Sequence, residues 1–230
     1  MANSSTSAAA TARLLLAGLR ALLVLSVLTG VIYPLVVTGV AQAAFPGRAN
    51  GSEIKDHGKV VGSSSIGQTY DLPLKKGQES PDPDLHWFQP RPSAGLGSNR
   101  ANGFNTQYDL LVSGASNLAG NNKDLISAVK DRKAAVVKDN SVPGYTVRPS
   151  QVPADAVTSS GSGLDPDISP AYANLQVHRV AEVNHLTVAQ VQKIVDDHAK
   201  GRILGFVGDP RVDVLQLNIA VKDLVAAHKG

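Results

Sequence analysis

Residues 21–45, ALLVLSVLTGVIYPLVVTGVAQAAF, form one apolar stretch without a charged side chain. At a rise of 1.5 Å per residue, a helix of this length reaches about 37 Å, enough to cross the roughly 30 Å hydrocarbon core of a bilayer. Arg13 and Arg20 precede the stretch, and the first acidic residue of the chain is Glu53. The sequence therefore predicts a basic head at residues 1–20, a transmembrane helix at residues 21–45 and a polar domain at residues 46–230.

A cleaved secretory signal is the alternative interpretation, since Ala41-Gln42-Ala43 offers the small residues found at cleavage sites. The apolar run is longer than the ~7–15 residues of a signal peptide's hydrophobic region, which favours a retained anchor. Both interpretations export residues 46–230, because long domains translocate largely regardless of charge and the first basic cluster usually stays inside. We predict a single-pass protein of the cell (plasma) membrane with a cytoplasmic N-terminus and an extracytoplasmic C-terminal domain.

One face of the apolar stretch differs from a plain anchor. Ser26, Gly30, Tyr33 and Val37 recur at helical spacing, and small or hydroxyl-bearing residues let membrane helices approach and hydrogen-bond to each other. Pro34 removes one backbone hydrogen bond and predicts a kink. These five residues define the predicted partner face of the helix. A simple anchor carrying a few such residues is the alternative.

The composition of the polar domain excludes several function classes. The chain has no cysteine, so a disulfide framework, a thiolate metal site and a cysteine nucleophile are all absent. The chain contains 22 Lys and Arg against 19 Asp and Glu, and Arg13 and Arg20 account for most of the excess. A nearly neutral domain with interspersed charges lacks the basic face that a nucleic-acid-binding protein needs.

Hydrophobic periodicity and cap residues predict an α+β domain with its helices concentrated in its C-terminal half. Helix starts are predicted from capping residues at Asn121 or Asn122, at Ser169 with Pro170, at Thr187 with Gln190, and at Asp213. Earlier in the domain, residues 60–70 predict a strand that Gly62 and Gly67 break, and residues 72–92 a proline-rich loop whose Trp87 and Phe88 pack on the domain. Residues 94–120 predict a long irregular region, and residues 203–207 a short extended piece.

The search for chemistry finds one concentrated polar segment, at residues 158–170 (TSSGSGLDPDISP). Ser160, Gly161, Ser162 and Gly163 form a weak nucleotide-binding candidate, because glycines and hydroxyls before a helix can hold an anion on backbone N–H groups. Against this, acids at 165 and 167 would repel an anion, and no Lys or Arg flanks the segment in sequence. The alternative is a capped, proline-locked helix start. The six histidines lack metal-ligand spacing, so no metal site is predicted.

Short ordered blocks along the chain carry a family resemblance. The blocks are Tyr33-Pro34, Phe45-Pro46, Ala49-Asn50-Gly51-Ser52, Gly62-Ser63 with Ile66-Gly67-Gln68, Phe88 with Arg91-Pro92-Ser93-Ala94, Ser113-Gly114 with Ser116-Asn117-Leu118, and Ser160-Gly161-Ser162-Gly163-Leu164-Asp165 with Ile168-Ser169-Pro170. Together they resemble the C subunit of the Kdp potassium-transporting P-type ATPase. The resemblance runs over residues 30–224.

This resemblance implies a single-pass subunit of a four-component complex. The implied partners are a channel-like potassium-conducting subunit, an ATP-hydrolysing pump subunit and a small membrane subunit. The family's C subunit is described as a catalytic chaperone that raises the pump subunit's affinity for ATP, and the segment at 160–163 has been likened to an ATP-binding signature. The external family motif maps onto Gly163, Leu164, Asp165, Ser169, Pro170, Arg91, Pro92, Ser116 and Asn117.

Two functions follow as alternatives. The first is a non-catalytic accessory subunit of an ATP-driven potassium uptake complex, which binds no cofactor itself because the complex handles ATP and potassium. The predicted topology supports it, since it places residues 160–163 outside the cell, where ATP is scarce. The second is a stand-alone, membrane-anchored extracytoplasmic binding domain. A hydrolase is disfavoured because the sequence shows no nucleophile–base motif.

Overall fold

The computed structural model describes residues 8–78, 80–93 and 113–229. The chain divides into two compact units, Met1–Ser52 and Glu53–Gly230. The first contains one long apolar helix, and the second mixes helices with short strands. This confirms the predicted fold class, an α+β domain that follows one apolar N-terminal helix and has most of its helices in its C-terminal half. Residues 94–112 of the predicted irregular region lie outside the described residues.

The first unit is helical almost throughout. Helix α1 (Ala8–Val27), a π-helical turn (Leu28–Ile32) and helix α2 (Tyr33–Ala44) form one helical stretch, which the short helix α3 (Pro46–Ala49) follows. The stretch Ala8–Ala44 has 37 residues and is long and apolar enough to cross a membrane, and it is the one such helix among the described residues. It begins before residue 21, so Arg13 and Arg20 lie on the same helical stretch.

Pro34 is accommodated by the π-helical turn directly before it. Proline cannot donate a backbone hydrogen bond and its ring crowds the preceding turn, while a π-turn widens the helix and is a recognised site of helix distortion. The Tyr33 N–H donates to the Leu28 carbonyl, five residues back. The Thr29 hydroxyl donates to the Leu25 carbonyl at 2.8 Å. The distortion expected from Pro34 is thus a local widening upstream of the proline.

The second unit opens with a β-hairpin of strands β1 (Glu53–Asp56) and β2 (Lys59–Ser63). Its two turn residues, His57 and Gly58, both have positive φ (47° and 80°), as a tight hairpin turn requires. The sequence prediction missed β1, because His-Gly is a weaker turn signal than Asn-Gly. The predicted strand at 60–70 was too long, since β2 ends at Ser63, which bridges back to Ile66.

Four helices form most of this unit. They are α4 (Lys123–Asn140), α5 (Pro170–Val183), α6 (Val188–His198) and α7 (Val214–Lys229). Each begins at a cap residue predicted from the sequence, namely Asn122, Ser169, Thr187 and Asp213, whose side chains accept hydrogen bonds from backbone N–H groups in the first turn. The start of each helix is therefore set by residues within its own first turn.

A small antiparallel sheet connects these helices. Strands β3 (Asp167–Ile168), β4 (Ala199–Lys200) and β5 (Arg211–Asp213) lie in the order β3-β5-β4. Strands β4 and β5 form a hairpin, and the predicted extended piece at 203–207 is instead its tight tip, where Ile203 bridges to Val207. That prediction was wrong because Leu204 and Gly205 adopt positive φ (53° and 82°), which turns the chain.

Helix α5 is the centre of the core. More than half of its residues are buried, including Ala173, Val177 and Val180, because it packs between α4 and α6. Helix α7 adds buried Leu217 and Val221.

The proline-rich loop is held on this core by side chains. Phe88 is buried, as predicted. Its backbone N–H donates to the Asn218 side chain at 2.8 Å, and its carbonyl accepts from the same amide at 3.0 Å. Gln176 and the backbone of Gln89 make the same two-way pair, at 2.7 and 3.1 Å. The buried side-chain amides of Asn218 and Gln176 therefore pair with backbone groups of the loop, as a neighbouring strand would in a sheet.

Arg179 completes this attachment. Its buried guanidinium donates to the carbonyls of Leu85 and Trp87 and to the side chains of Asn140 and Gln176. Burial lowers the Arg179 pKa to about 10, so the group stays charged at neutral pH. An arginine with five donors in a fixed fork suits a site with several carbonyl acceptors.

Candidate functional site

Residues 160–170 form a meeting point for blocks that are far apart in sequence. The Gly67 N–H donates to the Leu164 carbonyl at 2.8 Å, and the Gly114 N–H donates to the Ser162 carbonyl at 2.8 Å. The Ser160 N–H donates to the Pro92 carbonyl at 2.9 Å. We call residues 160–170 the hub segment. Its backbone joins the blocks around Gly67, Pro92 and Gly114 into one surface region.

The hub segment packs tightly against Gly67. A Cβ added at Gly67 would lie 2.5 Å from the Asp165 carbonyl oxygen. At Gly62 an added Cβ would overlap the ends of the Gln68 and Leu215 side chains, which would have to shift. Close approach of backbone therefore favours glycine most strongly at Gly67.

The hydroxyls of the hub segment are used inside the segment. The Gly163 N–H donates to Ser160 Oγ at 3.1 Å, and the Leu164 N–H donates to Ser162 Oγ at 3.1 Å. Ser160 is buried, and its hydroxyl also contacts the Ser162 hydroxyl at 3.1 Å. Gly163 has φ of +70°. An anion cradle needs N–H groups that point outward, and these two N–H groups already have partners within the turn.

Tertiary packing places cations near the hub segment that its neighbours in sequence do not supply. Cations do flank it in space: Arg91 Nη1 lies 2.9 Å from Asp165 Oδ2, and Arg132 donates to Ser159 Oγ at 3.1 Å. Both carboxylates of the segment thus have a cation beside them, because Arg211 Nε also lies 3.1 Å from Asp167 Oδ2. Sequence reasoning missed these contacts because Arg91 is 74 positions from its partner.

The helix start that ends the hub segment has an additional acid. Ser169 Oγ accepts from the Tyr172 N–H at 3.1 Å, as its role as a cap predicts. Asp155 accepts from both the Ser169 N–H at 2.7 Å and the Ser169 hydroxyl at 2.9 Å. With Pro170 as the first helical residue, this explains Ser169 and Pro170 as structural elements of the fold.

A cavity of about 240 Å³ lies between the proline-rich loop and helices α4 and α5. Its wall includes Arg91, Arg132, Asp139, Tyr172 and the buried Arg179. Burial raises the pKa of Asp139, and burial raises the pKa of Tyr172 to about 12. Both effects describe groups withdrawn from solvent. The wall residues named here therefore support the proline-rich loop.

The remaining external motif residues lie on the surface. Ser116 and Asn117 are exposed, and Asn117 has φ of +52°. Nearby, the Ser113 hydroxyl donates to the Ser162 carbonyl at 2.9 Å. Pro92 and Ser93 are half-buried, while Ala94 lies outside the described residues. The hub segment thus binds one end of the exposed stretch at residues 113–120 through the Ser162 carbonyl.

The residues of the predicted partner face on the apolar helix are all exposed in this single chain: Ser26, Gly30, Tyr33, Pro34 and Val37. A Cβ at Gly30 would meet no atom within 4 Å. The π-turn at Leu28–Ile32 uses more residues per turn than an α-helix. Ser26 therefore lies before the turn and Val37 after it, on a stripe that bends around the helix axis.

Within residues 8–78, 80–93 and 113–229, one cluster brings together metal-ligand atoms that the sequence did not indicate. Asp56, His57 and Asp223 bring ligand atoms within 4.8 Å of one another. Lys222 Nζ already lies 2.7 Å from Asp56 Oδ2, and His57 Nδ1 lies 2.6 Å from Asp56 Oδ1. The Lys222 hydrogen bond is the main cause of the lowered Asp56 pKa. This carboxylate serves to join the β1–β2 hairpin to α7.

Comparison with known proteins gives a consistent result. Residues 15–223 match the family described as K+-transporting ATPase, c chain. A protein of Streptomyces avermitilis named potassium-transporting ATPase KdpC subunit is 70% identical over 98% of this chain and 99% of its own length. Proteins of the same name from Streptomyces coelicolor and Mycobacterium tuberculosis are 64% and 42% identical, over 98% and 92% of this chain and 99% of their own lengths. The chain belongs to the family of C subunits of Kdp potassium-transporting ATPases.

Proposed function

We propose that this chain is a non-catalytic accessory subunit of a high-affinity, ATP-driven potassium uptake complex. Partner subunits would hydrolyse ATP and select potassium. The observation that carries the proposal is the hydrogen bonding of the hub segment. The N–H groups of Gly163 and Leu164 donate to the hydroxyls of Ser160 and Ser162, so both the donors and these hydroxyls have partners within the domain. Such hydrogen bonds stabilise the fold of the domain, and they leave these N–H groups and hydroxyls occupied where a nucleotide phosphate would need them. Membership of the potassium-transporting family supports the complex.

The proposed topology follows from the apolar helix. Residues 21–45 would cross the plasma membrane, with residues 1–20 cytoplasmic and residues 46–230 extracytoplasmic. The absence of acids before Glu53 and the long polar remainder support this orientation. Protease added to intact cells should digest the exported domain. Protection of the domain until lysis, or a mature chain that starts near residue 44, would contradict the topology.

The proposed role is mechanical. The exported domain would dock on the external face of the channel-like potassium-conducting subunit, while its helix packs beside that subunit and the small membrane subunit. Any increase in ATP affinity of the pump subunit would then be transmitted as a shift between conformations of the complex. This account needs no nucleotide on the exported domain.

Calorimetry with ATP tests the proposal directly. The full chain, purified in detergent, is titrated with ATP, and the Ser162→Ala variant serves as a matched control. We expect no saturable heat for either protein. Saturable binding at millimolar ATP that Ser162→Ala abolishes would reject the mechanical account and favour direct nucleotide handling by residues 160–163.

A further inference from the structure

The chain leaves the long apolar helix through a compact corner at residues 42–52, which we call the exit corner. Helix α2 ends, Phe45 departs from helical geometry (φ −139°, ψ 55°), and the short helix α3 begins at Pro46. Phe45 is 60% exposed, close to the 61% of Val40 on the last turns of α2. The exposed apolar surface of the helix therefore continues without a break into the exit corner.

The backbone of the exit corner finds its hydrogen-bond partners within the corner and the end of α2. Five of its N–H groups donate to carbonyls three to five residues earlier, at 2.8–3.2 Å; they belong to Phe45, Ala49, Asn50, Gly51 and Ser52. Backbone groups need internal partners wherever a membrane excludes water. These five N–H groups are therefore satisfied without water.

Two side-chain amides are satisfied in the same way. Gln42 Nε2 donates to Asn50 Oδ1 at 3.1 Å, and Asn50 Nδ2 donates back to Gln42 Oε1 at 3.2 Å and to the Pro46 carbonyl at 2.8 Å. Both residues are exposed in the single chain, yet their amides bind each other. The pair joins the last turn of α2 to the residue after α3 and so fixes the bend between the two helices.

The length of the helix agrees with a corner at the membrane surface. Twenty residues of helix rise about 30 Å, the thickness of the hydrocarbon core, so a core that ends at Phe45 begins near Leu25. Arg20 then lies about 7 Å outside the core, at the level of the headgroups. Arg48 takes the equivalent place at the other end. Neither arginine has an ion-pair partner within the described part of the chain.

We propose that the exit corner lies in the lipid headgroup region, with Phe45 at the edge of the hydrocarbon core, Arg48 on a lipid phosphate and the amide pair holding the bend. Apolar side chains of interfacial segments enter the boundary between headgroups and acyl chains, and guanidinium groups pair with phosphate oxygens. Lipid is the occupant because this surface continues that of the apolar helix. The inference rests on the proposed membrane crossing and adds lipid-binding residues beyond it.

Spin labels on single cysteines test this placement, because the chain has no cysteine of its own. The full chain, labelled at Leu35→Cys, Ala49→Cys or Lys130→Cys, is reconstituted into vesicles of phosphatidylcholine and phosphatidylglycerol. Paramagnetic relaxation by oxygen reports acyl chains, and relaxation by a water-soluble nickel chelate reports solvent. We expect oxygen alone to reach position 35, nickel to reach position 130 freely, and both to reach position 49 at headgroup depth.

Two results at position 49 would overturn the inference: nickel accessibility equal to that at position 130, or a label that neither reagent reaches. If position 35 remains in the acyl chains, the proposed crossing survives that failure. Free access of nickel to position 35 would reject the crossing as well.

Substitutions in the Ala49→Cys chain test the residues that hold the corner. Asn50→Ala leaves the Gln42 amide without its partner, so nickel accessibility at position 49 should rise at least about twofold. Arg48→Glu should raise it by a similar factor because a carboxylate is repelled by phosphate, whereas Arg48→Lys should leave it unchanged. Thr38→Ala, which removes a polar group of α2 outside the pair, is the control. Unchanged accessibility in Asn50→Ala or in Arg48→Glu would overturn the inference.

Discussion

Gly67 and Asp165 lie in direct backbone contact, although they are far apart in sequence. The Gly67 position would place a Cβ only 2.5 Å from the Asp165 carbonyl oxygen, while the Gly67 N–H donates to the carbonyl of the adjacent Leu164. Backbone atoms can approach this closely only where one residue lacks a side chain. The contact fixes the hub segment against the chain that follows β2.

Gly67→Ala should therefore destabilise the exported domain. The new methyl group has to displace backbone and not a flexible side chain, so we expect a loss of roughly 2 kcal/mol in the free energy of unfolding. Denaturant unfolding of the full chain in detergent measures this. Gly161→Ala is the matched control, because a Cβ at Gly161 meets no atom within 4 Å. Equal stability of the two variants would show that the hub segment can shift away from residue 67.

The Arg91–Asp165 pair should contribute more than a surface ion pair. Both side chains are less than one-third exposed and lie 2.9 Å apart. A double-mutant cycle with Arg91→Met and Asp165→Asn should give a coupling energy of about 1 kcal/mol. The exposed i,i+4 pair Lys193–Asp197, removed by Lys193→Met and Asp197→Asn, should give at most about 0.5 kcal/mol. Equal coupling in both pairs would mean that Arg91 contributes only a screened surface contact.

The amide pair between Asn218 and Phe88 should hold the proline-rich loop. Asn218→Ala leaves a buried N–H and carbonyl without partners, and we expect a loss of about 2–4 kcal/mol in stability. Limited proteolysis should then cut within residues 72–92 earlier than in the unsubstituted chain. Gln192→Ala removes an exposed amide on α6 and should change stability by less than about 0.5 kcal/mol. An unchanged cleavage pattern in Asn218→Ala would show that Arg179 and Gln176 are sufficient.

Asp213 makes the stability of the domain pH-dependent. Burial raises its pKa from 3.8 to about 6. The folded state therefore holds this proton more tightly than the unfolded chain, so the contribution of Asp213 to stability falls as pH rises from about 4 to about 6, and the cost remains at neutral pH. Asp213→Asn keeps the acceptor for the Gln216 N–H and removes the charge.

We expect Asp213→Asn to be more stable than the unsubstituted chain at pH 7.5, on the order of 2 kcal/mol, with the difference disappearing below pH 4. Thermal unfolding at several pH values measures the effect. Asp131→Asn, on the exposed side of α4, is the control. Lower stability of Asp213→Asn at pH 7.5 would mean that the charged cap outweighs the cost of its burial.

Local features of the sequence predicted the helices well. Ser169, Thr187 and Asp213 were identified as caps, and Asn122 was one of two candidates for the first cap, because a cap depends on residues within one turn. The hairpin tip was misjudged, since an apolar run such as Ile203 to Val207 fits a buried strand equally well. The positive φ values of Leu204 and Gly205 distinguish the turn.

The hub segment shows what the sequence could not supply. Its position before a helix was predictable, but its arginine partners were not, because Arg91 and Arg132 come from a loop and a helix that tertiary packing brings together. A partial signal existed in α5, where Gln176 and Arg179 interrupt an apolar helix face. Buried polar residues of this kind usually have specific partners, which here are the carbonyls of the proline-rich loop.

Gly30 should matter for assembly and not for the fold of the exported domain. It lies within the π-turn, and a Cβ there would meet nothing in the isolated chain, so the need for glycine would come only from a neighbouring helix. Gly30→Leu should reduce the yield of the co-purified complex by roughly tenfold, because a larger side chain prevents close helix approach. Val36→Leu adds volume off the predicted face and should assemble at the unsubstituted yield. If Gly30→Leu also co-purifies at full yield, then the helix acts only as an anchor and assembly depends on the exported domain.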